Sequence, residues 1–159
     1  LGISKEVTGF VVPLGATINM SGNAIYYTLV TLFFADMYGM DRDTALRIGA
    51  GFGGGIGRLR MVCGAVSGIV TLVGLHCGST DGEDHEGKAN CYKVVQDLLE
   101  RFRLQNGSII CADLLAQNGC KVETNTHMPD RRDAHYYSTR PCARKVEDAA
   151  RIFAEYISE

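Results

Sequence analysis

Hydrophobic and polar positions change their pattern twice along this chain. From Val7 to Ala35 there is no charged residue, yet Pro13, Gly15, Asn19, Gly22 and Asn23 interrupt the apolar run. The run is long enough to cross a bilayer. Its breaks argue against one simple spanning helix, and only Ala24–Met37 has unbroken helical character. After Asp36 the pattern becomes that of a soluble helical protein, with no proline until Pro129. Asp41–Ala50 predicts a short helix, capped by Asp41 or Asp43, with Ala45, Leu46 and Ile48 as its apolar side. Five of the seven residues Gly51–Gly57 are glycine. That predicts a loop, because each glycine costs a helix about 1 kcal/mol relative to alanine.

Arg60–Leu75 is apolar almost all round and predicts a central buried helix. Gly64 and Gly68, four apart, would admit a closely approaching backbone. Glu86–Leu104 is amphipathic, with Tyr92, Val95, Leu99 and Phe102 as the inward stripe. The Asn106-Gly107 turn and Ser108 as N-cap predict a short helix to Gln117, ended by Asn118-Gly119. Lys121–Thr139 is polar and rich in turn formers. Pro141–Ile157 predicts a last helix with Cys142, Val146, Ala149, Phe153 and Tyr156 on one stripe. No segment alternates with period two. The fold class is therefore all-α, a small helical bundle spanning about 36–159, preceded by an apolar segment at 1–35.

The 159 residues are enough for one domain with a core. A net charge of −2 makes nucleic acid or an anionic membrane an unsuitable partner. The six cysteines are widely and irregularly spaced, and no secretory signal is visible. A reduced, cytoplasmic compartment follows, with the apolar 1–35 segment leaving membrane association open. Met61–Gly78 is uncharged at the lower limit of a membrane span. With Ser67, Thr71 and His76 inside it and amphipathic helices after it, it reads as a core helix. The chain starts at Leu1 and reads as a piece of a longer sequence.

Chemistry concentrates in Cys63, Cys111 and Cys142, each shortly after a helix-start signal. Ser108 as cap would put Cys111 third in its helix, Pro141 puts Cys142 in the first turn, and Cys63 follows the glycine run. A first-turn thiol feels the positive end of the helix dipole and unpaired N–H groups, which favour the thiolate. Arg58, Arg60, Arg140 and Arg144 would raise the local potential. All three thiols are in phase with apolar neighbours and can face inward, so the three helix starts are expected at one end of the bundle. The competing reading is three inert core cysteines.

Other signals are weaker. Gly49, Gly51 and Gly54 form a GxGxxG with no strand before it, so nucleotide binding is disfavoured. The glycine run reads instead as close packing beside Cys63, or as an anion nest assisted by Arg58 and Arg60. Solvated arginines are the simpler expectation. Cys91 reads as core, Cys120 follows a helix end, and Cys77 closes a helix, where the dipole disfavours a thiolate. His127 and His135, near Asp130 and Asp133, read as exposed loop residues. No CxxC occurs.

Two resemblances sharpen this picture. Phe10-Val11-Val12-Pro13-Leu14-Gly15-Ala16-Thr17-Ile18-Asn19-Met20-Ser21-Gly22-Asn23-Ala24-Ile25-Tyr26 resembles a broken transmembrane helix of the sodium:dicarboxylate symporter family, near its ion and substrate sites. Ser21 and Asn23 depart from the acidic residue and the threonine usual there. A fragment of this size is not expected to transport or bind sodium. Phe34–Asp41, Ala45–Ile48, Gly51–Arg58, Cys63-Gly64-Ala65-Val66-Ser67-Gly68, Asn106–Cys111 and Pro141-Cys142 resemble the redox-active family named for the C_GCAxxG_C_C pattern. That resemblance implies four characteristic cysteines. Three match Cys63, Cys111 and Cys142, and the first falls near Tyr26, so the N-terminus reads as a fusion replacing the family's first helix. The function expected is a redox-active or metal-binding cysteine protein, a thiol oxidoreductase if it is an enzyme. Cys63, Cys111 and Cys142 are both its catalytic and its metal-ligating candidates. Zinc, iron or an iron–sulfur cluster suits such donors, and with tyrosine at position 26 a fourth ligand would come from Cys77, Cys91, His127 or His135. A transient disulfide between two of the three thiols is the other chemistry left open, with an unidentified redox partner. The rival expectation is an interaction module associated with a membrane transporter.

Overall fold

The computed structural model describes residues 39, 41–124, 126–131 and 133–159. The expectations placed on the transporter-like segment, including Tyr26 and the helical stretch at 24–37, lie outside the described residues. Among the described residues six helices follow in order: α1 (Arg42–Ala50), α2 (Gly64–Cys77), α3 (His85–Asn106), α4 (Cys111–Ala116), α5 (Ala134–Thr139) and α6 (Cys142–Tyr156). Among the described residues no strand forms, and one isolated antiparallel bridge joins Val62 to Ile110. The all-α bundle expected from the apolar pattern is what the described residues adopt. No helix among the described residues is long and apolar enough to cross a membrane.

The core is a three-helix packing in which α2, α3 and α6 each touch the other two. α2 contributes Ala65, Val66, Ile69, Leu72 and Val73, α3 contributes Leu98 and Phe102, and α6 contributes Val146, Ala149, Ile152 and Phe153. Leu114 of α4 joins them. These positions recur at three- and four-residue spacing, which is what one buried helical face requires. Asn106 is buried at the end of α3. It is satisfied: Nδ2 donates to Phe102 O at 3.1 Å, and Lys145 Nζ donates to Oδ1 at 2.7 Å, tying α3 to α6. Gly107 then ends α3 in the left-handed conformation (φ 83°), its N–H donating to Arg103 O.

Several expectations are corrected. α2 begins at Gly64 and runs to Cys77, because Arg58 and Arg60 have positive φ and Val62-Cys63 are drawn into the bridge with Ile110. α4 begins at Cys111, and its cap position is Ile110, held extended by that same bridge. Ser108 Oγ accepts from Ile110 N at 3.0 Å, ahead of the helix it was expected to cap. Tyr92 is 64% exposed and leaves the inward face to Leu98 and Phe102. A Cβ at Gly68 would meet nothing within 4 Å, so no backbone approaches there. The polar segment holds a helix, α5, that its composition hid. Asp133 starts it by accepting from Tyr136 N at 2.9 Å.

Candidate functional site

The three singled-out cysteines each stand at a helix start: Cys63 is the N-cap of α2, Cys111 opens α4 and Cys142 opens α6 after Pro141. The bridge brings the first two helix starts side by side. Cys63 N donates to Ile109 O at 2.8 Å, Cys111 N to Met61 O at 2.6 Å and Ala112 N to Arg60 O at 3.0 Å. The thiols act on one another electrostatically: Cys111 and Cys142 both raise the pKa of Cys63, and Cys111 raises that of Cys142. Cys111 is buried and the other two are half-buried. No disulfide links any of the six cysteines.

The glycine run explains how Cys111 is seated. Gly55 has φ +75°, and a Cβ there would stand 2.7 Å from Cys111 Cβ and 3.0 Å from Arg60 Cα. Only glycine fits. The run curls back on itself, with Gly57 N donating to Gly51 O, Arg58 N to Gly53 O, Arg60 N to Gly54 O and Met61 N to Gly55 O. Those amides are therefore occupied and do not form the anion nest considered from sequence. The close packing is real, but its partner is Cys111 where Cys63 was expected. Ile56, Arg58 and Arg60 are held at φ 58°, 70° and 60°. For side-chain-bearing residues that conformation costs about 1–2 kcal/mol each.

That conformation turns two arginines inward. Arg58 and Arg60 are 8% and 5% exposed, so the expectation of solvated arginines is overturned. They converge with Arg140 on one carboxylate. Arg58 Nη2 lies 2.8 Å from Asp130 Oδ1, and Arg140 Nη2 lies 2.8 Å from Oδ2. Arg60 Nη2 lies 3.7 Å from Asp130 Oδ2, and its Nε donates to Glu123 O at 3.1 Å. Arg58 also bonds Met128 O and pairs with Glu123 at 3.7 Å. Among the described residues, Arg58 Nε and Arg60 Nη2 have no hydrogen-bond partner. Arg60 also faces the Cys111 thiol, and Arg60 and Arg140 both act to lower the pKa of Cys111 and Cys142. Arg144 is exposed and takes no part in this cluster.

Burial nonetheless dominates the thiols. Loss of solvation pushes Cys63 up to about 11, against the pull of the Ala65 and Val66 amides and with the push of Cys111 and Cys142. Burial likewise raises Cys111 and Cys142 over the opposing arginines. The lowered thiol pKa expected from three helix starts is thereby corrected. The helix dipole helps a thiolate by a fraction of what removing water costs it. No side-chain cap hydrogen bond forms from Cys63. Its first-turn amides act on the sulfur without meeting bonding geometry.

The remaining cysteines separate into two places. Cys77 contacts Cys91 across α2 and α3, and burial followed by that neighbour raises Cys77. Cys120, set aside on sequence, acts on Cys142, and its Sγ lies 3.3 Å from Thr139 O. Nothing in its local sequence marked it, because its neighbour is twenty-two residues away. Asp130 was read only as an adjunct to the loop histidines, and its role as the hub of three arginines comes entirely from tertiary contact. His127 and His135 are exposed, as expected. Among the described residues no three His, Cys, Asp or Glu side chains gather closely enough to hold a metal ion.

Comparison with known proteins finds two families, whose matched ranges overlap at 28–50. The first 50 residues match the sodium:dicarboxylate symporter family. Excitatory amino acid transporter 2 of Homo sapiens is 54% identical over 43 residues, 27% of this chain and 8% of the transporter. A C4-dicarboxylate transport protein of Rhodopseudomonas palustris (strain BisB18) is 54% identical over 41 residues, 26% of this chain and 9% of that protein. The chain thus spans less than a tenth of the length of these curated relatives. No solved structure matches it. Residues 28–156, which contain all three cysteines at the helix starts, match the family described as "Putative redox-active protein (C_GCAxxG_C_C)". The chain belongs to this C_GCAxxG_C_C family.

Proposed function

We propose that the bundle is a thiol–disulfide redox protein whose couple is a disulfide formed between two of Cys63, Cys111 and Cys142. One observation carries this reading: three free thiols stand at neighbouring helix starts, near enough to perturb one another's ionisation. Two thiols lose two protons and two electrons as the S–S bond forms. A disulfide substrate accepts them and becomes two thiols. Arg60 and Arg140 stabilise the thiolate as it appears, and burial keeps the resting thiols protonated and protected from adventitious oxidation.

The test is oxidation of the anaerobically reduced protein with a low-molecular-weight disulfide, followed by alkylation and peptide mass analysis. The expected product has lost two thiols and carries a cross-link within the trio. Retention of all three thiols, or stoichiometric zinc or iron in the purified protein, would overturn the reading. The match of residues 1–50 to the symporter family favours a second reading, in which the bundle serves a membrane transporter. Fractionation of the full chain with membranes, with unreactive thiols, is the result that reading requires.

A further inference from the structure

We propose that Cys63 and Cys111 are the redox couple, and that closing their disulfide unseats the strap at 51–61 that packs on Cys111; this rests on the thiol–disulfide reading above. The main chains of these two cysteines are tied together. Val62 and Ile110 form the bridge, flanked by Cys111 N donating to Met61 O at 2.6 Å and Cys63 N donating to Ile109 O at 2.8 Å. In that register Cys111 stands opposite Met61 and Cys63 opposite Ile109. Cys63 and Cys111 are therefore diagonal neighbours on one side of a two-stranded ribbon. Such neighbours stand about 7–8 Å apart at Cα. A disulfide closes at about 4.4–6.8 Å between Cα atoms, and beyond about 7 Å the backbone must move. The two free thiols are thus close enough to join, but only with a shift of the backbone that carries them.

That shift loads the strap. Cys111 N and Ala112 N hold its end through Met61 O and Arg60 O. At Gly55 there is no slack, since an added Cβ would stand 2.7 Å from Cys111 Cβ and 3.0 Å from Arg60 Cα. The seated strap is also strained, with Ile56, Arg58 and Arg60 at φ 58°, 70° and 60°. Its large apolar side chains anchor it little, as Ile56, Leu59 and Met61 are 38%, 57% and 52% exposed. Its hold is polar: Arg58 and Arg60 reach Asp130 at 2.8 and 3.7 Å, and Arg60 Nε donates to Glu123 O. Among the described residues, Arg58 Nε and Arg60 Nη2 are buried with no hydrogen-bond partner. Release relaxes three strained residues and hydrates both N–H groups, which offsets the lost ion pairs and brings the seated and released forms closer in free energy.

The oxidant is a low-molecular-weight disulfide. Cys63 is half-buried and Cys111 buried, so Cys63 meets it first. The Cys63 thiolate attacks one sulfur of the oxidant, whose S–S bond breaks; the other sulfur leaves with the electron pair and is protonated. The Cys111 thiolate then attacks Cys63 Sγ of the mixed disulfide and displaces the second small thiol. Cys63 and Cys111 have together lost two electrons and two protons, and both protons end on the two small thiols.

The experiment oxidises the full chain with hydroxyethyl disulfide, maps the cross-link by peptide mass, and compares amide hydrogen exchange of the reduced and oxidised forms. The expected result is a Cys63–Cys111 cross-link, with exchange at Gly57, Arg58, Arg60 and Met61, whose amides are bonded within the strap, at least about tenfold faster after oxidation. Peptides covering Leu98 and Phe102 in the core should be unchanged, which separates release of the strap from general loosening. Cys142→Ser should keep both the cross-link and the strap response. A cross-link that omits Cys63 or Cys111, or loss of the response in C142S, would overturn the couple; a Cys63–Cys111 cross-link with unchanged exchange at 57–61 would overturn the release. Each of these leaves the redox reading intact, whereas no cross-link within the trio would overturn that reading and the proposal with it.

Discussion

At Gly55 a single missing side chain decides whether Cys111 can occupy its place. An added Cβ would lie 2.7 Å from Cys111 Cβ and 3.0 Å from Met61 N, in a backbone conformation with φ +75°. Neither Cys111 Cβ nor the backbone can swing aside, since Met61 and Cys111 are joined by a 2.6 Å hydrogen bond. Gly55→Ala should therefore cost about 2–4 kcal/mol of stability, measured by urea unfolding. Gly68→Ala provides the contrast. Its Cβ would meet nothing, and it replaces glycine within a helix, so a gain of about 0.5–1 kcal/mol is expected. Comparable losses at both positions would show that the glycine run is not seated against Cys111. The inward stripe was only partly legible at this scale: Val95, Leu99 and Phe102 pack on the core, while Tyr92 is exposed. A residue at the edge of a helical stripe is buried or bare according to what the next helix covers, which periodicity does not contain.

Among the elements, the segment from Lys121 to Arg140 behaves least like its composition. It reads as a polar connection, yet its Glu123 and Asp130 hold Arg58 and Arg60, just past the glycine run, and Arg140 shares Asp130 with them. Asp130 is the common partner, so Asp130→Asn removes the one carboxylate that the three guanidinium groups share. The expected stability loss is about 1–3 kcal/mol, because Arg58 and Arg60 are too buried to be rescued by water. Removing one negative charge beside three positive ones also deepens the positive potential at Cys111 and Cys142. Alkylation of Cys142 by iodoacetamide at neutral pH should therefore be faster in the variant, provided the measurement is made where both proteins are folded. Slower alkylation would mean that Asp130 supports the thiols in some other way than by neutralising the arginines.

For the whole molecule, buried thiols make stability depend on pH in one direction. Cys63 is pushed from an ordinary 9.0 up to about 11 in the folded chain. The folded state therefore holds this proton more tightly than the unfolded state. The contribution is intact below pH 9 and disappears as pH rises through about 11. Its full size is on the order of 3 kcal/mol. Urea unfolding of reduced protein between pH 8 and about 11 should show the unsubstituted chain losing ground to Cys63→Ser across that window. A pH-independent difference between the two would sink the assignment of a buried, protonated Cys63. Cys111 and Cys142 shift in the same direction and add to the slope that remains in the variant.

Local order in the sequence determined the helices of the core, the loop at the glycine run and the presence of a thiol at three helix starts. Each depends on residues within a turn or two of one another: apolar spacing in α3 and α6, clustered glycine, and a turn signal or proline ahead of Cys111 and Cys142. Tertiary structure alone decided where α2 and α4 begin, since the Val62–Ile110 bridge keeps Cys63 and Ile110 extended. It also decided the ionisation of the thiols, because the cost of excluding water is set by everything packed around a sulfur and outweighs the helix start beneath it. The association of Cys120 with Cys142, and of Arg58, Arg60 and Arg140 with Asp130, belongs to the same class. These partners are far apart in the chain, and no periodicity or local motif encodes which distant side chain will stand opposite.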